Sequence, residues 1–490
     1  MAMESKEFRK DKFKDFSDWY NTIIYAADLV DNRYNVQGFI VHKPWSMHIF
    51  KRMYSHFEKE LELNGHKPSL FPTVIPEENF EIEKEHAQGF VPEVFWITQR
   101  GGEQLKRKLA LRPTSETAIY QMYSLWVRDY TDLPIKMYQS CTVFRNESET
   151  SPFLRGREFL WIEAHDVFTN EKDARKQVGM DMEISRKIIS EKLAVPCLFF
   201  QRPKWDTFPG AVNTYATDVL IPDGKTLQIA STHYLGQNFA KGFNIKFKDK
   251  ENNELHAHQT TYGPGIWRIM AAIIAVHGDE RGLIIPPEVA PLDIIIVPIV
   301  KAGIESKHII KKCKSIEKKL KKLGYTTEVD MREKTPGFKY ADWELKGVPM
   351  RIEIGEKEVN EKKITLATRD NRERKQITEK ELKKHLIAER KAMTDRLREK
   401  ASEYINSHIK NAESLDEIKK IIENREGYAR VNLHSIEADG KECADIIQFE
   451  TKGGKVRGII VGKDEEPFGE KKCVICGKPA KHVVYVARQY

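Results

Sequence analysis

The chain has 490 residues, 40% of them hydrophobic and 31% charged, with a formal net charge of +8 and six cysteines. That length suggests about three domains, and the lack of any apolar run of about 18 residues excludes a membrane-spanning helix. The charged N-terminus lacks the apolar centre of a secretory signal, and so few cysteines make no disulfide framework, so the expected compartment is the cytoplasm.

Phe16, Trp19, Tyr20, Ile23, Ile24 and Ala27 recur at helical spacing and predict an amphipathic helix over 13–28. Pro44 suits the first turn of a second helix, on which Trp45, Ile49, Met53, Phe57 and Leu61 recur every four residues until Gly65 ends it. A short strand over 68–71 closes at Pro72. Residues 77–100 read as loop with a strand at 95–98, and another strand spans 107–112. Thr114 is the expected N-cap of the next helix.

The stretch 141–168 predicts two strands joined by the polar loop Ser148–Gly156. Its first strand carries Phe144, Arg145, Asn146 and Glu147. On the return strand Leu160, Ile162 and Ala164 face one way, while Phe159, Trp161, Glu163 and His165 face the other. Two aromatics, a carboxylate and an imidazole on one face make the floor of a pocket rather than an ordinary core. A polar helix follows over 171–194, then strands at 214–220 and 225–230 around a Pro222-Asp223-Gly224 turn. Gln228, Ser231 and His233 come next, and a glycine-rich approach leads to Arg268 and an apolar helix.

Composition changes near Ala290. Strands at 293–298, 327–330, 350–354 and 364–368 alternate with a lysine-rich helix, whose inward residues are Ile309, Cys313, Ile316 and Leu320, and with a helix from Glu379. This pattern predicts a small α/β domain. Nine lysines between 301 and 322 fit either an RNA-facing surface or a solvated helix face. The expected division is a catalytic domain over 1–288, the α/β domain over 289–390, a helical linker over 391–410 and a C-terminal unit over 411–490.

Arg145 and Arg268 offer what a phosphate needs, a fixed cation with a fork of donors. Neither a GxxxxGK[ST] nor a GxGxxG loop occurs, so two common phosphate cradles are absent. Phe144-Arg145-Asn146-Glu147, a loop, then Arg155, Phe159 and Glu163 resembles the second signature of the class II aminoacyl-tRNA synthetases. The long helix, strand and Pro72 resemble the first signature. Gly265-Ile266-Trp267-Arg268 resembles the third, with Trp267 where many members carry an acid. Within the class, Arg112-Pro-Thr-Ser-Glu116, Phe159-Leu-Trp-Ile-Glu-Ala-His165, His233-Tyr-Leu-Gly-Gln-Asn238 and Trp343-Glu-Leu-Lys-Gly-Val-Pro349 resemble the prolyl-tRNA synthetases. The form is archaeal/eukaryotic-like, because the interval from Glu147 to Gly265 is too short for the bacterial editing insertion.

The resemblance implies an α+β multidomain chain: an antiparallel-sheet catalytic domain, an α/β anticodon-binding domain and a small α+β C-terminal domain. It implies ATP-dependent ligation of L-proline to tRNA(Pro) through a prolyl-adenylate, with magnesium. Arg145 would contact the α-phosphate and the proline carboxylate, and Arg268 the γ-phosphate. Phe159 would stack on adenine, and Glu158, Gln228 and Ser231 would help hold nucleotide and magnesium. Thr114 and Glu116 would receive the imino group, Trp161, His165 and His233 would wall the ring, and Glu163 would orient the histidines. Glu344 and Arg351 would read anticodon guanines, assisted by Arg374 or Lys375. Cys443, Cys473 and Cys476 are compatible with zinc, with His434 as fourth ligand, and equally with a site that binds no metal. Tyr490 would return towards the active site, and the chain would form a homodimer through the first-signature helix and strand. The competing readings are another class II enzyme, such as a threonyl- or glycyl-tRNA synthetase, and a non-catalytic tRNA-binding paralogue, which the two arginines disfavour.

Overall fold

A computed structural model describes residues 8–80, 94–300 and 306–490. Helix α1 (Phe16–Ala26) is capped by Asp15, whose side chain accepts from the Asp18 amide, and α2 (Pro44–Leu63) opens on proline. Trp19, Tyr20, Phe50 and Phe57 on these two helices are buried together with Ile162 and Ala164 of the sheet and with Ile269 and Ile273. That core lies behind the sheet and leaves the other face open for a pocket.

The sheet has eleven strands. Its catalytic part runs from β1 (Lys67–Pro68) through β2 (Ile135–Phe144), β3 (Glu158–Phe168), β4 (Leu198–Gln201), β5 (Asn213–Leu220), β6 (Thr226–Gly236) and β7 (His258–Pro264). In space β1, β2, β3, β7, β6, β5 and β4 lie side by side in that order. All these pairs are antiparallel except β1 with β2. Helix α3 (Glu116–Trp126) precedes β2, α4 (Glu171–Ser185) follows β3, and α5 (Ile266–His277) follows β7.

The α/β unit has its own five-stranded sheet. It contains β8 (Ile294–Pro298), α6 (Lys307–Lys322), β9 (Thr327–Val329), α7 (Pro336–Leu345), β10 (Met350–Ile354), β11 (Lys363–Thr368) and β12 (Arg374–Thr378), with strand order β9-β8-β10-β11-β12. Ile309, Cys313, Ile316 and Leu320 face its core as their spacing predicts. Helix α8 (Leu382–Ser407) then leads to β13 (Ile409–Asn411), β14 (Tyr428–Leu433), α9 (Lys441–Glu450), β15 (Gly454–Ile460) and β16 (His482–Arg488). These last four strands are not a separate sheet. They continue the catalytic one through β15 and β4, where Ile459 pairs with Gln201 and Ile460 with Phe200. Gly458 makes the join: at φ +120° it sits in a bulge, and a Cβ there would lie 2.0 Å from the Gln201 carbonyl oxygen.

Several local expectations change. Ser115, not Thr114, is the residue before α3, because the Thr114 hydroxyl bonds the Glu116 carboxylate instead of an amide. The first hairpin strand begins at Ile135 rather than Cys141 and ends at Phe144, so Arg145 lies just past it. Its amide still donates to Arg157 O at 3.0 Å, which fixes the backbone there. The strands expected at 95–98 and 107–112 are present as Trp96–Arg100 and Glu103–Leu111, paired with each other, the second starting earlier than expected; residues 81–93 lie outside the described residues. The strand expected over 68–71 is reduced to Lys67–Pro68. The linker over 391–410 is mostly the second half of α8, continuous with the helix that closes the α/β core at Leu382 and Leu386. Helix α7 and strand β12 carry no strong periodicity and are additions to the pattern read from sequence.

Candidate active site

The open face of the sheet holds a cavity of about 580 Å³, lined among others by Thr114, Glu116, Arg145, Trp161, Glu163, His165 and His233. The alternation of β3 puts Trp161, Glu163 and His165 on the cavity side, where the sequence placed them. Glu163 is 2% exposed and accepts from Ser115 Oγ at 2.5 Å, Gln139 Nε2 at 2.7 Å, the Ser115 amide at 3.2 Å and His165 Nε2 at 3.2 Å. Burial alone would push this carboxyl up, but the bonds from His165, Ser115 and Gln139 outweigh it and hold it below the usual carboxylate range. His165 is raised despite burial by its bond to Glu163 and by the Glu116 charge, and Tyr120 Oη sits 3.1 Å from its Nδ1.

Glu116 differs. Burial and the Glu163 charge push its carboxyl up, and among the described residues its one side-chain hydrogen-bond partner is the Thr114 hydroxyl. It is therefore the acid of the trio with room for a cation. A secondary ammonium, with two N–H donors, fits a carboxylate beside a hydroxyl. His233 is pushed down to about 3 by burial and then by His165, so it is a neutral wall. Its Nδ1 lies 2.9 Å from Thr214 Oγ1 and its ring centroid 4.7 Å from that of Phe208.

A smaller cavity of about 120 Å³ adjoins the first, and Arg145, Gln228 and Ser231 line both. Arg268, Arg155 and Phe159 complete the smaller one. The Arg145 guanidinium lies 5.2 Å from the Phe159 ring centroid and 5.7 Å from that of Trp161. Arg268 donates to the Leu154 carbonyl at 3.1 Å and the Gln228 carbonyl at 3.2 Å. Burial, then the charges of Arg145 and Arg155, pushes Arg268 down to about 10. Three guanidiniums gathered so closely form a site for a polyanion.

Trp267 stands in for the missing acid as a packing surface. It is 2% exposed, its ring lies 6.3 Å from Phe159 at 26°, and a Cβ on Gly156 would lie 2.3 Å from it. Gly156 thus lets the hairpin loop close over the indole. Glu158 is half-buried at the start of β3 and lines neither cavity.

Sequence reasoning passed over Arg202, Trp205, Phe208 and Gln489, which also line the larger cavity. No motif marks them. They arrive through the joins of β4 with β5 and with β15. The Tyr490 amide donates to Thr226 O at 3.0 Å, which seats the last residues along the start of β6.

Glu344 and Arg351 lie together, but paired: Arg351 Nη1 to Glu344 Oε1 is 3.1 Å, and Arg351 Nη2 to Glu353 Oε1 is 3.0 Å. Arg281 reaches Glu344 at 3.3 Å from the catalytic unit, and Arg374 pairs with Glu353. Any nucleotide they read must exchange these partners.

His434, Cys443, Cys473 and Cys476 converge in the C-terminal unit, all four ligand atoms lying within 4.8 Å of one another. His434 Nδ1 is 3.5 Å from Cys476 Sγ and 3.8 Å from Cys443 Sγ, and the Cys443 and Cys473 sulfurs are 3.9 Å apart. Tetrahedral zinc places its sulfur ligands about 3.8 Å apart and nitrogen about 3.5 Å from sulfur. The residues present fit that ion. No helix among the described residues is long and apolar enough to cross a membrane.

Comparison with known proteins follows the same division. A family model described as "tRNA synthetase class II core domain (G, H, P, S and T)" matches residues 95–277. "Anticodon binding domain" matches 293–389, and "Prolyl-tRNA synthetase, C-terminal" matches 415–490. A curated proline--tRNA ligase of Thermofilum pendens is 50% identical over 481 residues, 98% of each chain. That of Pyrococcus abyssi is 41% identical over 486 residues, 98% of this chain and 99% of its own. Among solved structures, Giardia lamblia prolyl-tRNA synthetase in complex with prolyl-adenylate superposes with TM-score 0.94 at 36% identity, covering 99% of this chain and 100% of its own. Prolyl-tRNA synthetase from Cryptosporidium parvum complexed with halofuginone and AMPPNP gives 0.92 at 31% identity, covering 100% and 99%.

Proposed function

The chain belongs to the prolyl-tRNA synthetase family of class II aminoacyl-tRNA synthetases, and on that premise we propose a role for each residue of its pocket. The reaction is ATP-dependent ligation of L-proline to tRNA(Pro) through prolyl-adenylate, with AMP and pyrophosphate released. Proline enters the larger cavity. Its ammonium meets Glu116 and Thr114, and its ring lies among Trp161, His165 and His233. Glu163 holds His165 in place. ATP enters the smaller cavity as its magnesium complex, with adenine against Phe159, the γ-phosphate on Arg268, and Gln228 and Ser231 beside the ribose and α-phosphate. Glu158, half-buried at the start of β3 and outside both cavity linings, would help hold nucleotide and magnesium from beside them.

The observation that carries this reading is Arg145, which lines both cavities. Its fork bridges the proline carboxylate and the α-phosphorus, the two groups that must react. The carboxylate attacks phosphorus and pyrophosphate leaves. The tRNA ribose hydroxyl then attacks the mixed anhydride. No protein nucleophile is required, so the residues act by position and charge. In proline-dependent ATP–pyrophosphate exchange, Glu116→Gln should raise the KM for proline roughly 10- to 100-fold, the loss expected for one bond to a charged group. The KM for ATP should stay within about twofold; equal rises in both would overturn the assignment.

The α/β unit, residues 289–390, is assigned to the anticodon, with Glu344 and Arg351 as readers of guanine edges. The C-terminal unit, 411–490, is assigned a structural zinc on His434, Cys443, Cys473 and Cys476. A homodimer is assigned to α2 and β1: β1 is an edge strand, and Leu63 and Leu70 beside it are 68% and 78% exposed. Sedimentation equilibrium should return twice the chain mass, and Leu70→Asp should shift it towards monomer; a monomeric wild type would overturn this interface.

A further inference from the structure

One carboxylate is enclosed by two guanidiniums where the C-terminal unit meets the catalytic sheet. Asp218 of β5 is fully buried, Arg202 is 4% exposed and Arg457 of β15 is 1% exposed. Arg202 Nη2 lies 3.0 Å from Asp218 Oδ1, Arg457 Nε lies 2.8 Å from Asp218 Oδ2, and Arg202 Nη1 donates to the Arg457 carbonyl at 2.8 Å. Buried ion clusters of this kind lose in desolvation much of what they gain in attraction, so net stability is a weak reason for building one. What the triad does hold is two amides. Arg202 Nη2 donates to Gln228 Oε1 at 2.9 Å, and Arg457 Nη1 donates to Gln489 Oε1 at 2.9 Å.

A guanidinium can only donate. Both glutamines must therefore turn their carbonyl oxygens to the arginines, which leaves both NH2 groups for other partners. Gln228 and Gln489 both line the larger cavity, and Gln228 also lines the smaller one. Backbone pairing of Gln489 with Thr226 sets the second amide beside the strand that carries the first.

We propose that the C-terminal unit completes the nucleotide pocket: the Arg202–Asp218–Arg457 triad holds Gln228 and Gln489 as a pair of N–H donors to the ribose and α-phosphate oxygens of ATP and the adenylate. Gln489 and Gln228 touch the nucleotide; the two arginines and Asp218 are positioning residues. This rests on the reading that places the ribose and α-phosphate where the two cavities join, at Gln228 and Ser231.

Gln489→Glu tests it. A glutamate still accepts from Arg457, so folding is kept, but it offers no donor to an oxygen of the nucleotide. In ATP–pyrophosphate exchange the KM for ATP should rise about tenfold or more, with the KM for proline within about twofold and the thermal midpoint not lowered. Gln489→Ala should match it in KM. A structural role predicts the reverse: glutamate would restore wild-type behaviour, and alanine would lower the midpoint without moving the KM. That result overturns the proposal, as does an effect confined to transfer onto tRNA. Loss of exchange in Arg145→Ala with wild-type ATP kinetics in Gln489→Glu would leave the ATP site standing and refute this inference alone.

Discussion

Arg145→Ala is expected to abolish proline-dependent ATP–pyrophosphate exchange while binding of tRNA(Pro) survives. The half-buried guanidinium lies between the Glu116–Glu163–His165 group and the arginines of the smaller cavity, and no other cationic side chain among the described residues lines both cavities. Removing one oxyanion donor costs about 10²–10³ in rate, and an arginine placed on a transferring phosphoryl group supplies about 10³–10⁵. A loss of about 10³–10⁴ is therefore expected, equivalent to about 4–5.5 kcal/mol in the barrier. Arg145→Lys should recover little of it, because an ammonium keeps the charge but not the fork. Filter binding of labelled tRNA and a thermal melt separate this outcome from misfolding. Exchange within about tenfold of wild type would refute the role assigned to Arg145.

The second large effect is expected at the proposed zinc site. The purified chain should hold one zinc, and Cys473→Ser should lower metal retention at least about tenfold, by analogy with the sensitivity of metal sites to their supporting groups. The turn that offers the two late cysteines is tied down by Gly477 N to Cys473 O at 3.0 Å and Val474 N to Asn432 O at 3.1 Å. Val474 and Ile475 of the turn pack only partly against the core of the C-terminal unit, which leaves the proposed ion as its strongest tie. Structural zinc contributes about 10–16 kcal/mol of apparent binding energy in small zinc-finger peptides. Even a fraction of that makes the C-terminal unit melt early under chelation. Metal analysis that finds no zinc in protein purified without chelator would sink the assignment, whatever the activity.

How far the site was legible depended on the distance over which each residue acts. The hairpin floor was readable because strand alternation is local: Ile162 and Ala164 entered the core, and Trp161, Glu163 and His165 entered the cavity. His434 was readable as the nearest soft ligand to Cys443. Thr114 misled as a helix cap because a hydroxyl beside a buried carboxylate bonds the stronger acceptor. Arg202, Arg457 and Gln489 left no local signal at all, since 255 residues separate Arg202 from the carbonyl it binds. Helix α8 was read as a link because its charges hide a stripe of Met393, Leu397, Ala401 and Ile405 that packs along both units.

The eleven-stranded sheet changes what counts as a unit of stability. By sequence there are three units, with the α/β one in the middle. By hydrogen bonding there are two, because the first and last share a ladder and the middle has its own. Loss of β15 would strip partners from β4 on one side and β16 on the other, so fraying in the C-terminal strands reaches the catalytic sheet itself. Among the described residues no rung of that ladder enters the α/β unit, which meets the catalytic unit through Arg369 with Asp279, Arg281 with Glu344 and the Leu283 amide with the Leu345 carbonyl. The enzyme thus ties the end of its chain to the catalytic sheet by backbone pairing, and its anticodon-binding unit by ion pairs and loop contacts.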